Sequence, residues 1–308
     1  MTGIKLHIGH GKTGTSYMQA ALAISQDALL EAGYYYPLPE HIRDKAMRGE
    51  TTSGNVKPDG LADFLATQEC PPDAALLVSN EGQFQRFSSG EAIEHLLKRF
   101  PASEASVLLM VRDPLENAAS SYLQAVQKRQ ISGDFESVLM KFTRPLHVAR
   151  VIRNCRQAGI AIEVRNYSRE KKDLLGVLAR WIGVEALKRP VQSQVNRSLT
   201  AAEAEVQRRL NGTATDAKVL SLGDRLSREL PNVSPDKPKV SSEVIARFFQ
   251  RVQPQVDEVH DLLGHEIYQQ EDPAPFTCYG TPRYYLEPDQ IDLITGVLMA
   301  GQRRNGDL

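Results

Sequence analysis

Four short stretches along the chain are apolar enough to form strands, and each breaks off abruptly into polar residues. Residues 4–8 (IKLHI) alternate apolar and polar positions and run into glycines, while 74–79 (AALLVS) end in Asn80-Glu81-Gly82. Residues 106–111 (SVLLMV) end in Arg112-Asp113-Pro114, and 160–164 (IAIEV) end in Arg165-Asn166-Tyr167. Between these stretches apolar residues recur at helical spacing: Met18, Ala21, Leu22, Leu29 and Leu30 within 16–32, then about 89–100, 114–128 and 143–158. Strands alternating with helices predict an α/β fold with a central, mostly parallel sheet covered on both faces, and ligands at the C-terminal ends of the strands.

Residues 40–60 are polar and turn-rich with little periodicity, which predicts a surface excursion. Beyond about residue 190 the pattern changes. NRSLTAAEAEVQRRLNG predicts a capped helix with Ser198 or Thr200 as N-cap and Glu203 three positions after Thr200. A polar stretch to about 240 and two further helices, 241–263 and 287–300, follow. The expectation is one domain over 1–308, an α/β core of about 1–190 with additional C-terminal helices over about 191–308.

Composition narrows the chemistry. Of 308 residues, 41% are hydrophobic and 24% charged, which excludes wholesale disorder and collagen-like architecture. Lys and Arg number 37 against 38 Asp and Glu, a net charge of −1, so no global pull toward nucleic acid or anionic membrane is expected. An anionic ligand must then be met by a local cluster. Cys70, Cys155 and Cys278 lie too far apart in sequence for a disulfide framework or a zinc-ligand spacing. Neither a signal peptide nor a membrane span is expected, and the chain reads as cytoplasmic.

The first strand is joined to the first helix by Gly9-His10-Gly11-Lys12-Thr13-Gly14-Thr15-Ser16. Glycines there let backbone N–H groups turn toward an anion at the helix N-terminus, and a lysine and several hydroxyls add donors. Gly9, Gly11 and Gly14 fit GxGxxG, but the acidic residue that should end a second strand is not in place, since Glu31 precedes the Tyr34-Tyr35-Tyr36 run. The Walker spacing also fails, because the position five before Gly11 is Leu6. A shorter phosphate loop remains, against the plainer alternative of a glycine-rich turn with a capped helix.

A second anion site is available at Arg112, with Ser120 eight residues later on the following helix; the plainer alternative is an ion pair of Arg112 with Asp113 or Glu116. Glu81, directly after a strand, is a candidate general base if partly buried, and a solvated capping carboxylate otherwise. His10 is a rival titrating group whose place favours phosphate contact. Asp113 could instead hold Mg²⁺ in a kinase-like site with Lys12.

Two of these segments resemble the PAPS-dependent sulfotransferases, particularly their bacterial members. IGHGKTGTSYMQAAL is similar to that family's loop for the 5′-phosphosulfate, and VLLMVRDPLENAASSYLQAV to its 3′-phosphate segment, with Arg-Asp-Pro after the strand and a serine eight residues after the arginine. VSNEGQF is similar to a strand-end Ser-x-Glu that supplies the base in several carbohydrate-type members, and NRSLTAAE to an Asn-x-Ser-Leu segment. Tyr167 stands where many members have Tyr-Glu-Asp-Leu, although Ser168-Arg169 replaces the acidic pair. The resemblance implies a three-layer P-loop-NTPase-like fold, PAPS as donor with PAP as product, a small-molecule or carbohydrate acceptor and no required metal. It implies that His10, Gly11, Lys12, Thr13, Gly14, Thr15, Ser16, Arg112, Ser120, Tyr167, Arg197 and Ser198 hold the nucleotide. Lys12 and Glu81 would then be catalytic. An ATP- and Mg²⁺-dependent small-molecule kinase and a non-catalytic module that binds a phosphorylated nucleotide are the alternatives.

Overall fold

The computed structural model describes residues 2–48, 54–57, 59–191 and 197–305, with the side chains of 218 and 301–305 not described. Of the expected excursion at 40–60, residues 49–53 and 58 therefore lie outside the described residues. The chain divides into two compact units that interleave along the sequence. The first takes 1–114, 143–195 and 254–269; the second takes 115–142, 196–253 and 270–308.

In the first unit, β1 (Ile4–Gly9), β2 (Tyr34–Tyr35), β3 (Ala75–Ser79), β4 (Ala105–Val111) and β5 (Ala161–Asn166) form one sheet in the order β2-β3-β1-β4-β5. Every pairing is parallel, with Leu6 opposite Val78 and Val107, and Val111 opposite Asn166. Strict alternation explains why both faces are covered. Ile4, Leu6, Ile8, Leu76, Val78, Val107, Leu109 and Val111 enter one core with Phe84, Phe87, Val148 and Ile152. Leu77, Leu108 and Met110 enter the opposite core with Met18, Leu22, Leu178 and Trp181. The expected three-layer α/β arrangement is the architecture of this unit.

The helix expected over 16–32 is two, Thr15–Ile24 and Gln26–Glu31, parted at Ser25, whose hydroxyl accepts from the Lys188 N–H. The excursion expected at 40–60 is corrected in two places. Glu40–Met47 is a helix whose Ala46 packs on Ala20 and Ala23, a contact too small to produce an apolar period. Residues 54–57 lie along the end of β3: the Asn55 N–H donates to Ser79 O and its side chain takes Leu77 O and the Ser79 N–H, while Asn80 Nδ2 donates to Val56 O.

The second unit is mainly helical, built from Phe135–Lys141, Ala201–Thr213, Leu222–Glu229 and neighbours around Leu115, Tyr122, Leu199, Leu226, Phe248 and Ile294. Thr200 is the N-cap of Ala201–Thr213, and Glu203 completes a capping box. No helix among the described residues is long and apolar enough to cross a membrane.

Candidate active site

Because the four long strands are parallel, their exits lie along one edge of the first unit's sheet. That edge receives the glycine loop after β1, Asn80-Glu81-Gly82 after β3, Arg112-Asp113 after β4 and Tyr167-Ser168 after β5.

The loop curls through successive left-handed residues: Gly11, Lys12 and Gly14 have φ of 68°, 61° and 76°. Lys12 and Arg129 alone among described non-glycine residues have positive φ. Such a conformation costs a residue with a Cβ about 1–2 kcal/mol, so Lys12 is held there against its preference. A Cβ at Gly9 would fall 2.7 Å from Thr13 Oγ1 and 2.8 Å from Thr15 Oγ1, the two buried hydroxyls that close over the end of the strand. Their oxygens are 3.3 Å apart. Gly14 is the N-cap of Thr15–Ile24, no side chain caps that helix, and its first turn carries no acid. A Cβ at Gly14 would come within 2.6 Å of Leu174 Cδ1 and 3.0 Å of Tyr167 Cε2, so the helix start is packed tightly beneath the tyrosine. Ser16 is exposed.

Arg112 joins the exit of β4 to this loop. Its Nη1 donates to Lys12 O at 3.2 Å, its backbone N–H donates to His10 Nε2 at 3.2 Å, and its guanidinium lies 5.2 Å from the Tyr167 ring. Since Nε2 accepts, His10 carries its proton on Nδ1, which faces Gly11 O at 3.3 Å. Burial, with the fields of Arg144 and Arg112 added, pushes the imidazole down to about 3. His10 is thus a neutral brace for the loop, its ring edge-on to Phe84, and not a cation offered to phosphate.

Glu81 occupies a turn built by Asn80, whose Oδ1 accepts from the Gly82 N–H at 2.7 Å. A Cβ on Gly11 would sit 3.9 Å from Glu81 Oε2, which places the carboxylate beside the loop. Glu81 is exposed and not partly buried, so its candidacy as a base rests on its place beside the loop and not on burial. Asp113, 3% exposed, accepts from Asn166 Nδ2 at 2.6 Å and from the Gln269 N–H at 3.0 Å. Its carboxylate is turned inward as a bracket between β5 and the 254–269 segment, and the Asp113–Mg²⁺ arrangement of a kinase has no support in that orientation.

The remaining predicted residues belong to the second unit. Ser120 is half-buried on the helix Pro114–Gln127, in whose first turn the N–H groups of Leu115 and Glu116 donate to the Glu271 carboxylate. Arg197 is 5% exposed and all five of its N–H donors are engaged: Nε by Leu230 O, Nη1 by Ser198 O and Glu203 Oε2, Nη2 by Glu203 Oε1 and Leu226 O. That leaves this guanidinium no donor for a phosphate; Ser198, half-buried, gives up its carbonyl to it.

One residue at the edge escaped sequence reasoning. Arg144, first residue of the helix Arg144–Gln157, stands 5.5 Å over the Phe84 ring, where its charge acts on His10 and is attracted by Glu81. Its only sequence signal is a cation at a helix N-terminus, where the macrodipole disfavours one. A cavity of about 530 Å³ opens at the other edge of the sheet, among Thr2, Lys5, Asp73, Glu104 and Ala161 at the strands' N-terminal ends, away from all these groups.

No protein-family model matches the chain, and no curated protein matches it either. Solved structures similar to it include the following two. One is a sulfotransferase. That protein, from Alicyclobacillus acidocaldarius, is 13% identical with a TM-score of 0.49, over 86% of this chain and 97% of its own. The other is a retinol dehydratase in complex with androsterone and inactive cofactor PAP, 12% identical with a TM-score of 0.32, over 88% and 82% of the two chains. At these identities and scores the likeness carries no conclusion about activity.

Proposed function

We propose that this protein is a sulfotransferase, moving a sulfuryl group from PAPS to a hydroxyl or amine of a small-molecule or carbohydrate acceptor and releasing PAP. The observation that carries this reading is the junction of two strand exits, with Arg112 Nη1 3.2 Å from the Lys12 carbonyl. A cation beyond β4 and a glycine loop beyond β1 so joined suit one nucleotide with phosphates at two ribose positions, and ATP has no group for the second.

The residues fit such a donor. Positive φ at Gly11, Lys12 and Gly14 gathers backbone N–H groups at a helix start that no side chain caps. Lys12 adds a charge and Tyr167 a ring beside Arg112, while the buried Thr13 and Thr15 hydroxyls brace the loop from beneath. In the reaction, Glu81 takes the acceptor's proton while the acceptor oxygen or nitrogen forms its bond to sulfur. The bond from sulfur to the bridging oxygen breaks, and that oxygen leaves on PAP with the electron pair. Lys12 neutralises the charge growing on it; one such preorganised donor is worth about 3–4 kcal/mol in the transition state, roughly 10²–10³ in rate.

The test is transfer of radiolabelled sulfate from PAPS to an acceptor panel. Wild-type turnover, lost in Lys12→Ala and reduced about 10²–10⁴-fold in Glu81→Gln with PAP binding intact, is expected. Turnover unchanged in both variants, or Mg²⁺-dependent consumption of ATP, would overturn the assignment.

A further inference from the structure

Arg144 is the charged group that the proposed chemistry leaves unused. Its guanidinium is half-buried against the Phe84 ring and makes no hydrogen bond or ion pair among the described residues. None of its nitrogens is sealed from water without a partner, so the fork stays open to a ligand, while a cation in the first turn of a fourteen-residue helix meets an unfavourable dipole. The surroundings do little to offset this. Arg150, farther along the same helix, carries a like charge. The neighbouring imidazoles, His10 and His147, are both driven toward their neutral forms, in part by Arg144 itself. Glu81 attracts it without closing an ion pair, and the buried Tyr268 also faces it.

The position matters as much as the charge. Arg144 lies on Phe84, Phe84 on His10, and His10 on Gly11, beside which the Glu81 carboxylate sits. The donor's charge is already met by the loop, Lys12 and Arg112. A cation on the Phe84 side of Glu81 faces whatever presents its hydroxyl or amine to that base.

We propose that Arg144 recognises an anionic group on the acceptor, so that the substrates of this protein are hydroxyl- or amine-bearing molecules that also carry a carboxylate, sulfate or phosphate. The inference rests on the transferase reading and names the acceptor class of that same site. The planar fork of arginine can grip such an oxyanion with two parallel bonds while its face stays on Phe84. Lysine would keep the charge and lose the paired geometry.

A matched pair of probes tests this: p-nitrophenyl β-D-glucuronide and p-nitrophenyl β-D-glucoside, which differ in one carboxylate. Binding to the full-length protein is measured by calorimetry with and without saturating PAP, for wild type, Arg144→Gln and Arg144→Lys. Wild type should bind the glucuronide at least tenfold tighter than the glucoside. Arg144→Gln should erase that preference, Arg144→Lys should keep part of it, and PAP affinity should stay within twofold throughout. Where either probe is sulfated, KM for the acid should rise in Arg144→Gln with kcat held. Equal binding of the two probes by wild type, or binding of neither, overturns the proposal. So does a preference that survives Arg144→Gln, or an equal loss of kcat for both probes, which would assign the guanidinium to Glu81 or to the transferred group. Failure of wild type to bind PAP is a separate result and counts against the transferase reading instead, since the probes without PAP still report on Arg144.

Discussion

Lys12 offers a perturbation in which stability and function should move in opposite directions. Its φ of 61° suits glycine, yet a lysine stands there. Comparing Lys12→Gly with Lys12→Ala isolates the backbone, because both variants lose the same side-chain contacts. Alanine at this φ keeps the strain of about 1–2 kcal/mol, whereas glycine relieves it and gives back about 0.4–1 kcal/mol through the greater freedom of its unfolded chain. Lys12→Gly should therefore be more stable than Lys12→Ala by roughly 0.5–1 kcal/mol. In a thermal melt that difference is a rise of about 1–4 °C in Tm for a chain of this size. Both variants should lose turnover about 10²–10³-fold, since neither can neutralise the leaving oxygen. A glycine variant less stable than the alanine one would refute the claim that strain is stored at Lys12. A glycine variant that kept its turnover would refute the reason given for it.

Other consequences follow from the same contacts. His7 and His10 are both buried and neutral, pushed down to about 4 and about 3, while the unfolded chain titrates near 6.5. The unfolded state thus binds more protons across this window, so stability is full above pH 6.5 and falls as the pH drops toward 3–4; urea titrations should show this, with a flatter limb in His7→Gln. Gly14→Ala should weaken PAP binding and lower Tm, because it forces a Cβ onto Leu174 at a left-handed φ of 76°. Arg197→Ala should cost about 3–5 kcal/mol in urea melts by leaving the buried Glu203 carboxylate without its counter-ion, while PAP affinity of the remaining folded protein stays unchanged.

The four long strands were legible because each is a short stretch rich in apolar residues with an abrupt polar end, and parallel pairing then brings those ends to one edge without further information; the two-residue β2 is too short to leave such a pattern. The glycine loop was legible for the same local reason. What the sequence hid depends on distant partners. His10 looks like a phosphate ligand until the Arg112 N–H takes its Nε2, and Asp113 looks like a metal ligand until Asn166 and Gln269 turn it inward. Arg197 matches a motif, yet its fork is filled by Glu203 and three carbonyls. The segment 54–57 has no periodicity because it is held by amide-to-backbone bonds and not by apolar burial. Arg144 gave no motif at all; only its seat on Phe84 marks it.

Affinity for PAP set against 5′-AMP, in wild type and in Arg112→Ala, bears most directly on the proposal that one nucleotide joins the two strand exits. Wild type should favour PAP by at least a hundredfold, and Arg112→Ala should bring the two close to parity chiefly by weakening PAP. Equal affinity for both nucleotides in wild type, or a preference for PAP that Arg112→Ala leaves untouched, would contradict it.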